Sequence, residues 1–130
     1  MHIVPLYAAL LALLFVGLSV RTLRLRRGLN IAIGDAGNHT LLRAMRVHAN
    51  FAEYVPLSLL LIFFIEGAGA RSLLVHFLCL CLLVGRVSHA YGVSQAKENY
   101  KFRAAGMALT FVTLISASLF LLAAQLLRSG

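Results

Sequence analysis

The sequence predicts an all-α integral membrane protein, a four-helix bundle forming a single domain over residues 1–130. Two observations carry this. Four apolar stretches, each long enough to cross or nearly cross a bilayer core of about 30 Å, are separated by short polar segments. Hydrophobic residues make up 61% of the chain and charged residues only 12%, and a water-soluble bundle this small has no interior large enough to hide them. The basic residues also gather beside one end of these stretches, which sets the orientation.

Helix one is expected over residues 3–21, because residues 3–20 are almost without interruption apolar. Pro5 falls in the first turn, where it does least harm. Arg21, Arg24, Arg26 and Arg27 follow the apolar run. A cleavable signal peptide carries its positive charge first, so this reads as a retained span with its N-terminus outside. Residues 28–40 form a linker in which Gly34, Gly37 and Asn38 mark turns, and Asp35, Asn38 and Thr40 are the candidate caps for the next helix. Its glycines do not make a phosphate loop, since no strand precedes them and no Gly-Lys-Ser/Thr follows.

Helix two is expected over residues 41–65. At about 100° per residue, Arg43, Arg46, Asn50 and Glu53 fall on one narrow stripe, while His48 projects from nearly the opposite side. Cations, an amide and a carboxylate at a membrane boundary need partners. A solvated helix start with snorkelling arginines would explain one such group; four on one stripe favour a binding site. Pro56 frees the carbonyl of Ala52, so a kink just beyond Glu53 is expected.

Helix three is expected over residues 72–92, with Arg86 and His89 on one face near its end and Gly85 allowing close helix contact. Cys79 and Cys81 diverge by about 200° on a helix, cannot bond to each other, and read as packing residues. No His or Cys spacing completes a metal site. A polar loop over residues 93–100 leads to helix four, expected over residues 102–127, where Gly106, Thr110, Thr113, Ser116 and Ser118 supply small packing positions.

Ten of the twelve basic residues fall on one side of the membrane in this arrangement, leaving Arg71 and Arg128 on the other. The positive-inside rule then places both long loops in the cytoplasm and both termini outside. The formal charge of +8 invites a nucleic-acid reading, but no basic-aromatic surface pattern accompanies it, so lipid headgroups and an anionic ligand account for it better. Arg46, Arg86 and Arg103 lie near the cytoplasmic level, and Glu53 is the embedded carboxylate. A Glu53–Arg86 pair is the expected structural solution, leaving at least two arginines for lipid phosphates or for a bound anion.

The motif Arg46-x-x-x-Asn50-x-x-Glu53-Tyr54, followed by Pro56-Leu57, resembles the second-helix motif of the MAPEG superfamily, membrane-associated proteins in eicosanoid and glutathione metabolism. The chain is most similar to its short bacterial branch, which implies a bacterial inner membrane location. The resemblance implies a four-helix protein that assembles as a homotrimer and binds glutathione as co-substrate between neighbouring subunits. It implies glutathione-binding roles for Arg46, Asn50, Glu53, Tyr54 and Arg86, with His89 counted beside Arg86. One of Arg24, Arg26 or Arg27 matches the family's basic position after helix one, and Arg24 stands for it here. Arg103 resembles the arginine credited with activating the thiol, the catalytic role. His48 and His89 are candidate proton donors, although a packed or hydrogen-bonded neighbour is the commoner role at such positions. The chain departs from eicosanoid-type members at Val93, where they carry a tyrosine; Tyr91 is two residues short and on another face.

Glutathione suits these residues chemically. Arginines pair with its carboxylates, Glu53 receives its amine, and a nearby cation favours thiolate over thiol. The expected function is glutathione-dependent transfer or peroxide reduction on lipophilic electrophiles. The alternative is a non-catalytic lipid- or glutathione-binding membrane protein. A small multidrug exporter also has four short spans and one membrane carboxylate, but Arg46 beside Glu53 would neutralise the group that must exchange cations.

Overall fold

A computed structural model describes residues 2–129. Four helices follow one another: α1 (Val4–Leu29), α2 (His39–Gly67), α3 (Ser72–Ser94) and α4 (Tyr100–Ser129). All four are long and apolar enough to cross a membrane, and no strand occurs among the described residues. The all-helical four-span expectation holds.

Helix α1 runs on to Leu29, past the expected end at residue 21. Arginine and leucine are good helix formers, so the basic segment beyond the apolar run continues the helix. Asn30 stops it by turning left-handed (φ 54°, ψ 38°) while its amide bonds the carbonyls of Arg26 and Arg27. The Arg26 guanidinium then gathers the carbonyls of Ile31, Ala32 and Gly34 at 3.3, 3.2 and 2.9 Å, folding the linker back on α1. Of the three candidate caps it is Asn38 that starts α2, its side chain accepting from the Leu41 amide at 3.0 Å. Helix α2 then continues through Pro56 to Gly67.

At the other end of the bundle, Glu66 reaches across to α1 and accepts hydrogen bonds from the first amides of that helix, those of Ile3 and Val4. A carboxylate there satisfies amides that no residue of α1 can satisfy, and it complements the positive end of the helix dipole. Tyr7 and His76 join α1 to α3 nearby, at 3.2 Å.

The core lies along α2 and α3, where Leu41, Ile62, Ile65, Val75, Cys79 and Leu82 are fully buried. Helix α1 packs on α2 and α3 and makes no contact with α4 among the described residues. The most intimate pair is α3 and α4. A Cβ on Gly106 would sit 2.5 Å from the Gly85 carbonyl oxygen and 2.6 Å from the His89 amide, both backbone atoms that cannot give way. His48 is a packing residue: Nε2 lies 2.9 Å from Ser19 Oγ, and the ring stacks on Phe15 at 4.7 Å.

Candidate functional site

The N-terminal half of α2, the end of α3, the following loop and the start of α4 enclose a pocket of about 230 Å³. Arg43, Arg46, Asn50, His89, Val93, Glu98 and Arg103 line it, with His39 and Leu42 at the rim. The helical periodicity of α2 brings the first three to one wall. Gly92 brings the opposite wall close, because a Cβ there would stand 2.6 Å from the Arg103 amide and 2.8 Å from the Asn99 carbonyl oxygen. The Asn99 amide donates to the Gly92 carbonyl at 3.0 Å, and its own carbonyl accepts from the Arg103 amide at 3.1 Å. The first turn of α4 is thereby pinned to the end of α3, with Arg103 at the pocket. Gly106 does the same for His89, one turn deeper.

Charge in the pocket is unbalanced. Glu98, almost buried, accepts from Arg103 Nη1 at 2.6 Å and lies 3.9 Å from Arg43 Nη1. Arg43 also donates to the Val93 carbonyl at 3.4 Å. Arg46 is exposed and has no partner among the described residues. Three guanidinium groups thus face one carboxylate, an arrangement that attracts an anion carrying more than one negative group.

Arg86 lies behind Asn50 rather than in the pocket. It is 1% exposed, its Nη1 donates to Asn50 Oδ1 at 2.6 Å, and its Nη2 lies 3.4 Å from Met107 Sδ. The Tyr54 ring stands 5.9 Å from the guanidinium carbon, a cation–π distance, and Nε has no hydrogen-bond partner. The expected Glu53–Arg86 pair does not form. Glu53 is exposed and makes no hydrogen bond or ion pair among the described residues. Arg43 and Asn50 lie about 20° apart around α2 and face α3, whereas Glu53 lies roughly 80° further round than Arg43, at the edge turned outward.

Of the residues expected from sequence, Arg46, Asn50, His89 and Arg103 therefore meet in one pocket, and Arg86 supports it through Asn50. Tyr54 packs edge-on against Phe111 at 5.7 Å and stays outside it. Arg24 and Glu53 are exposed away from it, and Arg26 is committed to the linker. Val93 lines the pocket with hydrocarbon, while Tyr91 is 53% exposed and packs on Phe102. Sequence reasoning left Glu98 in a polar loop. Its only signal was a position five residues before Arg103, across a turn that lets the two side chains meet.

The MAPEG family profile matches residues 4–123 of the chain. Over 110 residues the chain is 38% identical to the inner membrane protein YecN of Escherichia coli K12, a span covering 85% of this chain and 82% of that protein. The YecN of Escherichia coli O6:H1 matches to the same extent. No solved structure matches the chain significantly.

Proposed function

The chain belongs to the MAPEG family, and from that premise we propose a glutathione-dependent membrane transferase or peroxidase acting on lipophilic electrophiles. It is a multi-pass inner membrane protein, as its four spans and its inner membrane relative support. The observation that carries the reading is the pocket with three guanidinium groups around one carboxylate. Glutathione is a matching ligand: two carboxylates for Arg43 and Arg46, and a thiol beside Arg103. A cation close to the sulfur lowers a thiol pKa from its usual value near 8.5, and the thiolate is the nucleophile. The electrophile reaches it laterally from the bilayer.

The same reading includes a homotrimer with its sites between neighbours. Arg24, Glu53 and Tyr54 lie outside the pocket of their own chain, so they serve glutathione only if they face the pocket of an adjoining copy. Glu53 then receives the ligand's amine. The pocket opens to the cytoplasm, where glutathione is found, and both termini lie outside.

A second reading, glutathione or lipid binding without catalysis, is favoured by Val93. It gives the pocket wall no hydroxyl where a tyrosine is expected. Glutathione binding to the detergent-purified protein, followed by thiolate absorbance in the ultraviolet, separates the two. The transferase reading expects binding with thiolate formation, and Arg103→Ala should lower turnover far more than affinity. Equal losses in turnover and affinity would remove Arg103 from the chemistry. Binding without thiolate selects the non-catalytic glutathione carrier, and no binding at all rejects the transferase and returns the arginines to lipid phosphates.

A further inference from the structure

A second recess, of about 490 Å³, lies beside the anion pocket, between α1, the first turn of α2 and the end of α3. Arg21, His39, Thr40, Arg43, Ser94 and Ala96 line it, and none of these is acidic. Arg43 and His39 are shared with the first pocket; Glu98, which lies near Arg43, lines the first pocket and not this one. Arg21 donates through Nη1 to Ser94 Oγ at 2.5 Å, which fixes its guanidinium at the recess. No carboxylate lies within ion-pair distance of Arg21 among the described residues. The recess is therefore a cationic cavity whose principal charge, that of Arg21, has no counter-ion among the described residues.

Its level along the bundle says where the counter-ion comes from. Arg21 is the first residue after the apolar run of α1, about 27 Å along the helix from Ile3 at 1.5 Å per residue. That is close to the thickness of a bilayer's hydrocarbon core, so the recess opens where acyl chains give way to phosphates. Guanidinium forks and a threonine hydroxyl are suited to phosphate oxygens. We propose that the Arg21–Thr40–Arg43 recess binds the phosphate of an anionic phospholipid headgroup. Arg43 is shared with the glutathione reading, but Arg21 lines only this recess, so the two readings are told apart at Arg21.

Native mass spectrometry of the full-length protein in detergent tests this, with phosphatidylglycerol and phosphatidylcholine offered in equal amounts and inorganic phosphate as competitor. Wild-type protein should retain phosphatidylglycerol preferentially, and Arg21→Gln should lower that retention about fivefold, the effect of one interfacial cation. Glutathione binding by Arg21→Gln should be unchanged, which keeps failure here distinct from failure of the first pocket. Retention by the wild type should also fall as salt is raised, a readout that needs no variant. Equal retention of the two lipids, retention insensitive to salt, or full retention by a folded Arg21→Gln would overturn the proposal. Displacement of the lipid by millimolar inorganic phosphate would overturn the lipid as ligand and leave a free-phosphate site.

Discussion

Glu98 holds Arg103 at 2.6 Å and so occupies the cation that the proposed chemistry requires. A bound anion must compete with it. Glu98→Gln should therefore tighten glutathione binding two- to fivefold, the size expected for losing a half-exposed ion pair worth roughly 1 kcal/mol or less. It should also raise the thiolate fraction, because a carboxylate near the sulfur is removed. Calorimetric titration beside ultraviolet absorbance checks both, and weaker binding would assign Glu98 to the ligand's amine instead. This residue was not legible in the sequence. Arg43, Arg46 and Asn50 were, because helical periodicity alone puts them on one wall. A loop carboxylate obeys no period, and its position depends on how Gly92 lets the chain turn. The Glu53–Arg86 pair failed for a related reason. A stripe about 80° wide says which residues are neighbours but not which edge of it meets α3.

The α3–α4 crossing is the element on which the site depends. Gly85 and Gly106 were recognisable as close-packing residues; nothing in the sequence set Gly92 apart. The close contacts at Gly106 are to backbone atoms, so Gly106→Ala must push the helices apart. A loss of about 1–3 kcal/mol is expected, the usual cost of overpacking, seen as a lower thermal midpoint in detergent. Glutathione affinity should fall with it, since His89 and Arg103 ride on this contact. Gly17→Ala is the control: nothing lies within 4 Å of a Cβ there, and its midpoint should stay level or rise slightly. Helix α1 gave the other lesson at this scale. Apolar character ends at Val20 and predicts where the membrane ends, while helical propensity persists to Leu29 and decides where the helix ends.

For the whole molecule, the outward position of Glu53 matters most. A carboxylate left facing lipid within a span costs on the order of 3 kcal/mol at the membrane centre and less near the boundary. Facing the pocket of a neighbouring chain removes that cost and supplies an acceptor for the ligand's amine. The proposed homotrimer should appear as a complex of three 14.2 kDa chains by native mass spectrometry. Glu53→Gln should weaken glutathione binding while leaving that mass and the thermal midpoint unchanged. A monomeric wild type would remove Glu53 from the site. Fold and span number were legible from composition and periodicity, which act within one chain; the contacts of an assembly leave no such period. The Glu66 cap has a consequence of a different kind. The opening amides of α1 find their protein acceptor more than sixty residues downstream, so the cap on the first span depends on the far end of the second. The first span is fastened only when the second lies beside it, so the α1–α2 hairpin is the smallest piece of the chain that holds this cap. A fusion partner joined just ahead of Ile3 would crowd that fastening, whereas one joined after α4 would leave it alone.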